Sequence, residues 1–150
     1  MALSVNAMLA LTLRFHVSVD GVDLGGWARC KGLSVKFNPR KVKEGGNYLY
    51  QPVLPDHIDY PEITLERAMD KAGAAAVQSW LRNRAQAWVQ SMLGAPGGTA
   101  KITLFDAHAQ EVASWHLRNV YPSAWKGPDL DALTLGVAME SLTLVHEGFL

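Results

Sequence analysis

The 150-residue chain has a single cysteine, Cys30, so it cannot form an intramolecular disulfide, and a disulfide-framed secreted scaffold is excluded. Cys30 reads as a small buried hydrophobe. An excess of charge of either sign is also lacking: 14 basic residues face 14 acidic ones, with no block of one sign. Binding to nucleic acid through a basic surface therefore has no footprint. No stretch approaches the ~20 apolar residues that a membrane-spanning helix needs. No internal repeat or low-complexity tract occurs. The opening "MALSVNAMLALTL" is apolar, but no Lys or Arg precedes the apolar run and no small-residue cleavage site follows it. It reads as a terminal arm over residues 1–13 rather than a secretory signal. At this length one domain over residues 1–150 buries about 68–70% of the surface its unfolded chain exposes.

Catalytic patterns are equally scarce. "GAPGGTAK" has a glycine misplaced for a phosphate loop, and a helix precedes it where a strand should. His57 and Asp59 have metal-ligand chemistry, yet His16, His108, His116 and His146 share no ligand spacing with them. "WLRNRAQAW" lacks the paired histidines of a zinc protease, and no serine sits on a nucleophile elbow. Asp106, Glu111 and Glu140 leave a paired-carboxylate hydrolase open, with nothing in the sequence to bring them together. The expectation is a protein without catalytic residues, cofactor or metal.

What is present is alternation. "RFHVSVDG" places Phe15, Val17 and Val19 on one face and Arg14, His16 and Ser18 on the other, the pattern of a half-buried strand. "VDLGG" reads as a turn, and residues 27–37 as a second strand with Leu33, Val35 and Phe37 in one row and a bend at Gly32. Residues 38–61 hold four of the seven prolines and no period, which predicts a long loop whose Tyr48, Leu49, Tyr50, Val53 and Leu54 argue against disorder. "EITLERAM" is a short strand with Ile63 and Leu65 inward. A helix is predicted over 74–93, with Val77, Trp80, Leu81, Trp88 and Met92 on an apolar stripe and "GAPGG" ending it. The two tryptophans read as a core face packed on a sheet. Residues 99–119 form a hairpin around "DAHAQ", with Lys101 and Thr103 on one side of the first strand and Ser114, His116 and Arg118 on one side of the second. The last strand is expected over 133–146, longer than the usual 5 or 6 residues. Ending on a strand leaves backbone groups in need of a partner.

The segments "FHVSVDG", "EGGNYLYQPVLP", "YPEITLERAM", "NVYPSAWKGPDLDA" and "VAMESLTLVHEGF", in that order and spacing, resemble the phage-tail-tube family. This group comprises the small tube proteins of contractile phage tails, R-type bacteriocins and extracellular contractile injection systems. The haemolysin-coregulated proteins of type VI secretion share its fold. The resemblance runs from about Arg14 to the end, and the arm before it follows no recognisable pattern. It implies a mainly β protein, an antiparallel β-sandwich or barrel with one flanking helix and a long extended loop. It implies homohexameric rings stacked into a hollow tube, assembled in the bacterial cytoplasm and enclosed by a sheath protein. Baseplate or spike proteins and terminator proteins would meet the tube's ends. Protein cargo would occupy the lumen, or DNA would pass through it if the particle is a phage tail. The polar residues Arg14, His16, Ser18, Lys101, Thr103, Ser114, His116 and Arg118 would line that lumen. Glu44, Gly45, Gly46, Tyr48, Tyr50, Val53 and Leu54 would form the contact between subunits. The alternative from the residues alone is a small carbohydrate-binding β-sandwich, with a β-barrel enzyme behind it.

Overall fold

The computed structural model describes residues 14–91 and 96–150; the arm over residues 1–13, and Met92 and Leu93 at the end of the expected helix, lie outside the described residues. Among the described residues, nine strands and one helix follow in the order β1 (Arg14–Val19), β2 (Val22–Trp27), β3 (Arg29–Lys31), β4 (Arg40–Lys41), β5 (Val53–Leu54), β6 (Ile63–Ala68), α1 (Lys71–Gln90), β7 (Gly98–Phe105), β8 (Glu111–Lys126) and β9 (Met139–Val145). Seven of them form one antiparallel sheet in the order β2-β1-β7-β8-β9-β6-β3.

The sheet folds over because β8 belongs to both halves of it. The strand pairs with β7 from Glu111 to Val120 and with β9 from Tyr121 onward. Pro122 falls at a register shift on the β9 side, where a missing amide is tolerated. The two edge strands β2 and β3 are separated in the chain only by Ala28, whose amide donates to the Glu66 carbonyl at 2.9 Å. One continuous run of chain thus touches both edges. The result is a flattened barrel left open, since β2 and β3 do not pair, with Val17, Leu24, Ile63, Leu65, Ile102, Leu117, Leu142 and Leu144 fully buried inside it. Burying each such side chain stabilises by about 1.5–3 kcal/mol.

A buried ion pair on β6 and β9 links those strands to the edge strand β2. Arg67 and Glu140 are register partners on β6 and β9 and both point inward, with Arg67 Nε donating to Glu140 Oε1 at 2.7 Å. The guanidinium also donates to the carbonyls of Leu24 (2.6 Å), Gly26 (3.2 Å) and Gly73 (2.9 Å) and lies 3.9 Å over the Trp27 ring. Trp125 donates its indole N–H to the other Glu140 oxygen at 3.2 Å. Arg67 therefore satisfies β2 carbonyls that no neighbouring strand reaches.

Helix α1 begins at the Asp70 cap, whose side chain accepts from the Gly73 amide, and packs Val77 and Trp80 onto the barrel. Arg84 ties it down through an ion pair with Asp20 and a 2.8 Å bond to the Pro96 carbonyl. The expected stripe holds only in part. Trp80 is 4% exposed, but Trp88 is 57% exposed, touching Tyr121 edge-on at 5.7 Å between centroids, because the second half of the helix overhangs the barrel.

Three other expectations are corrected. "VDLGG" is strand β2 rather than a turn, since the positive φ of Gly25 (84°) bends the strand so that both Leu24 and Trp27 reach the core. The expected 27–37 strand breaks at Gly32, whose φ is 90° and where a Cβ would lie 1.9 Å from the Glu62 carbonyl oxygen. Only a Lys36–Asp59 bridge continues beyond it, and Phe37 is exposed. The last strand starts at Met139 instead of 133, because Asp131 closes a turn: its carboxylate accepts from the Leu133 amide at 2.9 Å and the Thr134 hydroxyl at 2.6 Å.

Candidate functional site

Two surfaces stand out, one polar and flat, one apolar and projecting. The flat one is the outer face of β1, β7 and β8. Register pairs His16 with Thr103, Ser18 with Lys101, Lys101 with His116 and Thr103 with Ser114, so the strands bring the predicted polar residues onto a single face. The Arg14 backbone is the register partner of Phe105, its side chain lying outside what is described, and Arg118 follows His116 two residues on. His16, His116 and Arg118 are exposed, while Ser18, Lys101 and Ser114 are half-buried. Thr103 departs from the expectation of a wet face: it is buried, covered by its flanking register partners in the central strand. The His16 ring meets Phe105 edge-on at 5.6 Å, so this face has one aromatic contact amid its polar groups.

The projecting surface is the 38–61 segment. β4 and β5 pair Arg40 with Leu54 and Lys41 with Val53, and the Val42 amide donates to the Pro52 carbonyl at 2.9 Å, giving a narrow two-stranded arm within the expected loop. At its tip Gly46 adopts φ 84°, a conformation that L side chains rarely accept, and Asn47 Oδ1 accepts from the amides of Leu49 and Tyr50. Glu44, Gly45, Gly46, Tyr48, Tyr50, Val53 and Leu54 are all exposed, Tyr48 at 96%. The arm thus carries apolar side chains away from its own barrel.

A second apolar projection was not anticipated. Leu130, Leu133, Leu135 and Val137, in the 127–138 connection, are exposed, Leu133 at 97%. Sequence reasoning assigned residues 133–137 to a strand; the overlooked signal was "PDLDAL", with Asp131 placed to close a turn.

Of the residues considered for chemistry, His57, Asp106 and Glu140 have structural partners. His57 sits in the open between Asp56 and Asp59, 3.3 Å from each, and the hydrogen bond to Asp56 raises its pKa above the ordinary imidazole value. Among the described residues no group of three or more His, Cys, Asp or Glu side chains is placed to hold a metal ion. Asp106 accepts from the amides of His108 (2.7 Å) and Gln110 (2.9 Å) in the β7–β8 turn, Glu140 is bound to Arg67, and Glu111 is exposed. Asp106 and Glu140 have separate partners, and the three acids lie in separate elements. Burial pushes the Cys30 thiol up to about 11. No helix among the described residues is long and apolar enough to cross a membrane.

Comparison with known proteins agrees with this architecture. Residues 11–150 match the family described as T4-like virus tail tube protein gp19. No curated protein matches the chain. Among solved structures, a chain of the sheath–tube complex of an extracellular contractile injection system, PVC, in its extended state superposes with a TM-score of 0.72 at 18% identity, covering 97% of this chain and 95% of that one. A chain of the anti-feeding prophage tube-terminating cap gives 0.72 at 20% identity, covering 91% and 86%. A type six secretion system protein gives 0.57 at 11% identity, covering 90% and 80%. At such identities these structures speak for the fold, and the match over residues 11–150 speaks for kinship: the chain belongs to the T4-like tail tube protein family.

Proposed function

We propose that this structural tail tube protein works by self-assembly, as homohexameric rings that stack into a hollow conduit within a contractile sheath. The rings form in the bacterial cytoplasm, and sheath contraction drives the tube into a target. Baseplate or spike proteins and terminator proteins cap its two ends. It is no enzyme: it acts by shape and rigidity. The whole 1–150 chain acts as one domain, with residues 1–13 as an arm. The outer face of β1, β7 and β8, bearing Arg14, His16, Ser18, Lys101, Thr103, Ser114, His116 and Arg118, lines the lumen. There it offers polar cargo a wall without an apolar row, be it protein or, in a phage tail, DNA.

The observation that carries this reading is the 38–61 arm, which holds its apolar tip in water when the subunit is alone. Burying Tyr48, Tyr50, Val53 and Leu54 against a neighbour would contribute about 1.5–3 kcal/mol each. Association costs roughly 4–15 kcal/mol, so one arm binds weakly, whereas a ring whose subunits each give and receive an arm is held by several at once. Replacing residues 44–56 with a short Gly-Ser linker tests it. The expected outcome is an unchanged far-UV circular dichroism spectrum with loss of stacked tubes in sedimentation. Unaltered tubes, or an unfolded monomer, refute the assignment.

A further inference from the structure

We propose that residues 135–137, just past the Asp131 turn, add as an extra antiparallel strand to the free edge of β8 in a neighbouring copy of this chain, forming the lateral contact within a ring. The proposal rests on the tube reading above and supplies the side-to-side interface that a stacking arm does not provide.

The connection between β8 and β9 is the first observation. These strands are adjacent and antiparallel, and such hairpins close with about 2–5 residues. Here residues 127–138 intervene. The excess is not loosely attached. Asp131 ties one end through the Leu133 amide and the Thr134 hydroxyl, and the Met69 amide holds the Ala138 carbonyl at 2.8 Å at the other. Leu133 and Thr134 lie in the Asp131 turn itself; beyond it Leu135 and Val137 alternate with Gly136 and Ala138, yet these residues enter no ladder. Leu133, Leu135 and Val137 all face water. A strand pattern held open without a partner points to a partner on another molecule.

The receiving edge is visible in the same chain. At Arg118 the amide donates to the Gly148 carbonyl and the carbonyl accepts from the Glu147 amide, each at 2.9 Å. Strand alternation turns the backbone groups of His116 and Ser114 to that same side, where no strand among the described residues pairs with them. The other edge of this half of the sheet is β2, and its Leu24 and Gly26 carbonyls are occupied by Arg67. The free end of β8 is thus the more open acceptor.

The faces also match. On the inner side of this edge lies a mainly apolar cavity of ≈ 290 Å³, lined by Phe15, Arg29, Cys30, Leu33, Leu104 and Trp115, that would receive Leu135 and Val137. On the outer side Ser114 would continue into Gly136, keeping that face free of apolar side chains. Charge sets the direction. The connection carries Asp129 and Asp131 and no cation, whereas the edge has His116 and Arg118 at one end and Glu111 at the other. Placing the aspartates beside Arg118 runs the added strand antiparallel to β8.

Two variants test this, read by sedimentation, electron microscopy and circular dichroism beside the unmodified protein. Leu135→Asp with Val137→Asp changes only exposed positions, and we expect an unchanged spectrum with complete loss of rings. Gly136→Cys with Ser114→Cys, oxidised after assembly, is expected to give a ladder of cross-linked species up to the closed ring on a non-reducing gel. Rings that survive the aspartates, or absence of the ladder in assembled cysteine variant, overturn the strand addition while leaving the tube intact. An unmodified protein that stays monomeric at every concentration overturns the tube reading and this proposal with it.

Discussion

Replacing Glu140 with alanine should be among the most damaging single changes in this barrel. Its side chain is fully buried, as is nearly all of Arg67, its 2.7 Å partner. Removing one member of such a pair leaves an uncompensated charge inside the protein, which costs about 3–5 kcal/mol. The Trp125 indole loses its acceptor at the same time. For a chain of this size, at about 2–4 °C per kcal/mol, the melting temperature should fall by about 6–20 °C. Glu66→Ala is the control, because Glu66 pairs with Arg29 (3.2 Å) and Lys31 (4.0 Å), both largely exposed, and such pairs are worth about 0–1 kcal/mol. The double variant Arg67→Met with Glu140→Leu separates charge from edge capping. It removes both charges but bares the Leu24, Gly26 and Gly73 carbonyls, so it should regain only part of the lost stability. Thermal melts by circular dichroism at one protein concentration decide this, since assembly itself stabilises by mass action. Equal shifts for Glu140→Ala and Glu66→Ala would refute the burial argument, and complete recovery in the double variant would refute the capping role of Arg67.

Trp80→Ala should cost about 3–5 kcal/mol as a large-to-small core change, whereas Trp88→Ala, at an exposed site, should stay within about 1 kcal/mol in denaturant titrations. Gly32→Ala should destabilise by about 1–3 kcal/mol or more from its positive φ alone, with the 1.9 Å approach to the Glu62 carbonyl adding to the loss in the same titration. Burial holds the Cys30 thiol protonated up to about 11, so its thiolate appears only as pH rises toward that value; alkylation of the folded protein should be slow at pH 8–9 and accelerate toward pH 11. Rapid labelling at pH 8 without unfolding would contradict that placement of Cys30.

Period-two alternation made β1, β6 and the β7–β8 hairpin legible, because each has one face on the core and one away from it. The same rule contains Arg67 and Glu140: Arg67 follows Ile63 and Leu65 in the inward row, and Glu140 precedes Leu142 and Leu144. Residue type concealed them, since a charge in an inward row makes sense only when its partner is known, and pairing across strands is a tertiary fact. Strand β2 was hidden by its glycines, which suggest a turn until Leu24 and Trp27 are seen in the core. The passage of β8 through Pro122 relies on a register shift against β9 that local sequence does not announce. The helix stripe was real but too long, because nothing in α1 itself says where the barrel beneath it ends. Of the candidate surfaces, the polar face followed from alternation and the 38–61 arm from its apolar residues among prolines. The 127–138 connection was missed because an unpartnered strand pattern looks identical to a partnered one.

Negative-stain electron microscopy of the concentrated protein, with rotational averaging of end-on views, tests the central claim most directly. The account predicts hollow rings with six-fold symmetry and tubes built by stacking them. Uniform monomeric particles at every concentration tried, or closed rings of another symmetry, would contradict it.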